Sequence, residues 1–154
     1  MRILVLAFVI GVLFVGCTEV ERPSRYVRST IYELQQASDY EYTGELEVGE
    51  LPTGELELVI TLKGAKGSTA VTYPAHLHYG PYGTPDAPMA AMLSPIYASS
   101  LVGATILSEL SNGNVINYES FLTFNGHVKV HLASEGPDYE VILVAGDVGA
   151  NYQQ

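Results

Sequence analysis

The sequence predicts an all-β fold, an antiparallel β-sandwich or barrel. Two observations carry this prediction. Apolar and polar residues alternate with a period of two through residues 43–62, "TGELEVGELPTGELELVITL". Short β-prone runs then recur along the rest of the chain, separated by Gly, Pro, Asn and Asp turns. Such spacing is the mark of antiparallel all-β domains.

The elements follow in order. A strand is expected over residues 29–35. In the hairpin that comes next, Leu46 and Val48 alternate with Glu45 and Glu47. After the turn Leu51-Pro52-Thr53-Gly54, the residues Leu56, Leu58, Ile60 and Leu62 alternate with Glu55, Glu57, Val59 and Thr61. Side chains two apart on a strand share a face, so one face is buried and the glutamates form a solvated one. Further strands are expected over residues 69–78, 89–93, 103–110, 126–132 and 140–146. Turns at 64–68 and 135–138 separate some of them. Residues 117–124, "NYESFLTF", are expected to make one short helical turn, with Asn117 as N-cap.

The N-terminus reads "MRILVLAFVIGVLFVGC". One basic residue precedes a short apolar run, the pattern of a secretory signal. The run is shorter than the roughly 20 apolar residues that span a bilayer. Phe14-Val15-Gly16-Cys17 resembles a bacterial lipobox, in which the small residue before the cysteine permits cleavage and the cysteine receives lipid. The expected organisation is a lipoprotein signal peptide over 1–16, the lipidated Cys17 and a flexible tether over 17–29, a β-domain over 30–150, and a tail over 151–154. This implies a cell-envelope location, held to a membrane through acyl chains and facing the periplasm or exterior. Cys17 is the sole cysteine, so the core has no disulfide to support it.

Cleavage before Cys17 leaves six basic against 17 acidic side chains, a net charge of −11. Arg22, Arg25 and Arg28 all lie in the tether, where solvation or weak attraction to anionic headgroups is expected. A domain this acidic repels phosphate backbones, so nucleic acid is excluded as a partner.

The four histidines fall into two motifs, "AHLH" and "GHVKVH". On strands, His76 and His78 share a face while Leu77 points to the core. His127, Lys129 and His131 likewise share a face, opposite Val128 and Val130. If the strands are close, the pairs converge. Imidazole clusters suit copper or zinc, so His76, His78 and His131 are candidate metal ligands and His127 a possible fourth. The dull alternative is a set of polar residues on a sheet face. Tyr73, Tyr79, Tyr82 and Tyr97 cluster around the first motif in sequence and suggest either a protein- or glycan-binding rim or the roof of a barrel end. Asp86, Glu109, Glu119 and Asp147 show no acid–base pairing, and no nucleophile elbow, P-loop or dinucleotide fingerprint occurs.

The stretch Tyr73-Pro-Ala-His-Leu-His-Tyr-Gly-Pro81 resembles the histidine signature of CHRD domains. Residues 117–122, "NYESFL", 126–132, "GHVKVHL", and 144–149, "VAGDVG", resemble that family's helical turn, second histidine strand and closing strand. CHRD domains are in turn similar to copper–zinc superoxide dismutase, an eight-stranded Greek-key barrel. The resemblance implies that fold, and implies His76, His78 and His131 as copper-type ligands. The chain departs from the dismutase pattern in three ways. Residues 79–126 contain no histidine for a zinc loop, there is no disulfide, and no arginine follows Arg28 to draw in superoxide. The expected function is therefore a membrane-anchored, non-enzymatic binding module. The alternative is a copper-binding protein with weak or no dismutase activity.

Overall fold

The structure is a computed structural model that describes residues 25–153. The expected signal segment 1–16, the expected lipidation site Cys17 and most of the expected tether lie outside the described residues.

Eight strands form one closed antiparallel barrel: β1 (Arg28–Gln36), β2 (Thr43–Glu50), β3 (Leu56–Lys63), β4 (Thr72–Tyr79), β5 (Met89–Tyr97), β6 (Val102–Leu107), β7 (Asn125–His131) and β8 (Ile142–Gly149). Their order around the wall is β1-β2-β3-β6-β5-β4-β7-β8. β4, β5 and β6 follow one another as neighbours, and β7 returns past them to lie beside β4, which is a Greek key. The alternation in residues 43–62 does what it predicts. β2 and β3 pair in continuous register from Thr43↔Lys63 to Glu50↔Leu56, with Leu46, Val48, Leu56, Leu58, Ile60 and Leu62 buried. The seam that closes the barrel, β1 against β8, is short, with Gln35↔Ala145 and Gln36↔Val144 in register.

The helical turn is present as α1 (Tyr118–Leu122). Asn117 caps it as expected: its side-chain oxygen accepts from the Ser120 N–H at 3.0 Å, and its own N–H donates to the Ser120 hydroxyl at 2.9 Å. The cap seats α1 so that Phe121 is fully buried in the core beside Tyr32.

Three details differ from the sequence expectation. The barrel begins earlier than residue 30. Tyr26 is buried, its hydroxyl donating to Glu57 at 2.6 Å, while Arg25 donates to the same carboxylate at 2.8 Å. Arg28 pairs with both Glu50 and Glu119. Residues 25–29 are thus clasped to the wall rather than free. For the same reason Glu57 is buried and not part of a solvated face. Finally, β5 runs on to Tyr97 and β6 stops at Leu107, short of residue 110. Pro95 hides the end of β5 from a reading by propensity, since Pro lacks the ladder donor. Accordingly β5 and β6 are in register only at Tyr97↔Val102, and Ser94 N–H donates instead to the Thr105 hydroxyl at 2.8 Å.

Candidate metal centre

β4 and β7 are adjacent, with His76↔Lys129 and His78↔His127 directly opposite. The two histidine motifs therefore lie on one patch, as the same-face argument requires. Ala75, Leu77, Val128 and Val130 all point into the core, so the imidazoles project from the outer surface of the wall. They are nevertheless sheltered. His76 and His131 are each 5% exposed, His127 is fully buried and His78 is partly exposed.

The shelter comes from two connections folded over the sheet. In the β4–β5 connection, the Ala87 carbonyl accepts from His78 Nδ1 at 3.0 Å and the Gly80 carbonyl from His127 Nδ1 at 2.7 Å. In the β7–β8 connection, Pro137–Glu140 forms a 3-10 turn. Its Tyr139 carbonyl accepts from His131 Nδ1 at 2.7 Å, and the Tyr139 ring stacks on His131 at 4.4 Å with the planes 6° apart.

These bonds fix tautomers. A carbonyl only accepts, so each of those three Nδ1 atoms carries the proton and each Nε2 presents a lone pair. The Nε2 atoms of His78, His127 and His131 are buried without a hydrogen-bond partner, and so is Nδ1 of His76. Buried polar atoms are nearly always paired, and a cluster of unpaired imidazole nitrogens calls for an explanation. His76, His78 and His131 each offer one ligand atom, and these atoms lie within 4.8 Å of one another. Ligands held at about 2.0–2.1 Å from one ion sit at most about 4 Å apart, so the rings must draw closer together for one ion to reach all three. The carbonyls that orient His78 and His131 are the outer partners such ligands ordinarily have.

Burial lowers the basicity of all four rings. His76 falls to about 4, through burial first and then the nearby His131 and His78. His78, His127 and His131 are also lowered, burial again leading, with the carbonyl contacts opposing it. At neutral pH the rings are neutral and their lone pairs are free to bind a cation.

His127 stands apart from the group of three. It stacks on His78 with ring centres 5.1 Å apart and planes 11° apart, with Tyr82 edge-on at 5.7 Å. Comparison of the chain with family models, with curated proteins and with solved structures finds no match.

The tyrosines do not gather into one rim. Tyr73 is buried in the core against Tyr42, Tyr79 packs on Phe124, and Tyr82 and Tyr97 are exposed. Among the acidic residues, Asp147 lies opposite His127 on β8 and accepts from the Tyr82 N–H at 2.6 Å. Glu119 is engaged by Arg28. Tyr139 is the residue that sequence reasoning missed. Its one signal was Pro137 inside the turn 135–138, which favours a helical start.

Proposed function

We propose that this domain is a copper-binding module of the cell envelope, anchored through Cys17, with His76, His78 and His131 as the ligands. The observation that carries the reading is the cluster of His76, His78 and His131, each offering one ligand atom within 4.8 Å of the others and each with a buried, unpaired ring nitrogen. Imidazole suits several divalent ions, and among these copper binds a given nitrogen site most tightly. The likeness of the two histidine motifs to CHRD domains supports the same ligands, and the signal-like N-terminus supports the location.

The role is binding rather than catalysis. Arg25 and Arg28 are tied to Glu57, Glu50 and Glu119. Lys129 lies over the Tyr82 ring at 5.9 Å. The net charge of −11 left by cleavage before Cys17 disfavours approach of an anion such as superoxide. Copper-loaded protein is expected to speed superoxide decay little beyond free buffer.

Calorimetric titration with Cu(II) and Zn(II) near pH 7 tests the reading. One ion per chain is expected, with binding lost in His78→Ala and in His131→Ala. Absence of binding to the unsubstituted chain overturns it, as does binding that both variants retain.

A further inference from the structure

The chain has three methionines, Met1, Met89 and Met92. The two within the barrel sit on β5 in register with the two histidines of β4: His76↔Met92 and His78↔Met89. Directly opposed residues of an antiparallel pair share a face, with Cβ atoms about 4.5–5.5 Å apart. The neighbours Ala90 and Leu93 are buried in the core. Met92 therefore projects from the outer wall next to His76, and it is 73% exposed. An unbranched thioether so exposed adds nothing to the core, although filling gaps there is the usual use of methionine.

Met92 and His76 also line one cavity of about 300 Å³, walled by Pro74, Leu93, Pro95 and Tyr139. Tyr139 is the residue stacked on His131, so the cavity adjoins the candidate metal centre. Its lining offers the Met92 thioether, the His76 imidazole and the neutral hydroxyls of Thr72, Ser134 and Tyr139, and no carboxylate. A hard divalent cation is ordinarily held by carboxylate oxygens, which this lining lacks, whereas thioether and imidazole together suit a soft monovalent ion.

We propose that the Met92 sulfur is a further ligand of the centre and that it biases the site toward Cu(I). This inference rests on the metal-binding reading above and adds the oxidation state of the ion and a fourth donor. The long, flexible side chain lets the sulfur swing between solvent and the histidines, so the same residue receives the ion at the cavity mouth. Zn(II) and Cu(II) binding depend on the three imidazoles alone.

The test uses the full chain in detergent with Cys17→Ser, so that no thiol competes. Cu(I) affinity is measured by competition with a chromogenic chelator, and Zn(II) affinity by titration. In Met92→Leu, Cu(I) binding is expected to weaken at least tenfold while Zn(II) binding changes less than twofold. X-ray absorption of the Cu(I) form should show a copper–sulfur shell that disappears in Met92→Leu. Equal Cu(I) affinity in Met92→Leu and the parent overturns the proposal. A sulfur shell that survives Met92→Leu and vanishes in Met89→Leu overturns the assignment to Met92. A parent chain that binds Zn(II) but shows no sulfur shell sinks this inference and leaves the three-histidine reading standing. A parent that binds neither ion sinks both.

Discussion

At the scale of single residues, the candidate centre depends on how each imidazole is held. His131 is fixed by two contributions from Tyr139, a carbonyl bond and a stacked ring. Tyr139→Ala keeps the carbonyl and removes the ring. It is expected to weaken metal binding by about tenfold without changing the stoichiometry, the size usual for loss of an outer-sphere partner. Titration of the variant checks this. The lowered basicity of the histidines has its own consequence for the metal-free protein. A ring harder to protonate folded than unfolded lets the unfolded chain bind more protons between the two values. Stability conferred by the neutral ring is thus complete above about 6.5 and declines as the pH falls toward about 4, the value for His76. Urea unfolding at pH 7 and pH 5 should show the decline, and His76→Asn should make it shallower. The sequence made the pairing of His76 with His78 legible, because period two is a local property. The orienting carbonyls of Gly80, Ala87 and Tyr139 were not legible, since a backbone acceptor leaves no trace in residue identity.

At the scale of elements, the centre needs β4 and β7 close together. Gly126 makes this possible. A Cβ there would stand 2.6 Å from the His78 carbonyl and 2.0 Å from the Phe124 ring. Gly126→Ala must therefore push β4 and β7 apart beside His78. A cost of about 1–3 kcal/mol is expected from overpacking, together with weaker metal binding, read by denaturant melts and titration. The cap of α1 offers a contrasting case. Asn117→Ala should cost about 1 kcal/mol and leave metal affinity unchanged, because the Asn117 side chain bonds to Ser120 within its own turn. Regular alternation gave β2 and β3 to within a residue or so. β5 and β6 were bounded less well, because Pro95 breaks the propensity signal and a side-chain hydroxyl replaces part of their ladder.

At the scale of the whole molecule, stability is uneven around the wall. The β2–β3 pairing is long, while the β1–β8 seam is short. The clasp at Arg25, Tyr26 and Glu57 fastens the start of β1 at the opposite end from that seam. Amide exchange is expected to be faster at the β1–β8 seam than in β2 and β3, since weakly paired regions open at lower free energy. Tyr26→Phe, which strips one donor from a buried carboxylate, should lower global stability by about 1–3 kcal/mol in a urea melt. The fold class was visible in the sequence because it rests on patterning. The clasp was not, because a charged segment beside a signal-like run reads as solvated whatever it later touches.

The imidazoles hang outside a wall whose interior is hydrocarbon. The core packing and the candidate ligand atoms thus sit on opposite sides of the same two strands, and filling the site would make little demand on the barrel's integrity. The two overlying connections can change in length or composition, altering how the imidazoles are sheltered and oriented, while the strands beneath keep their register.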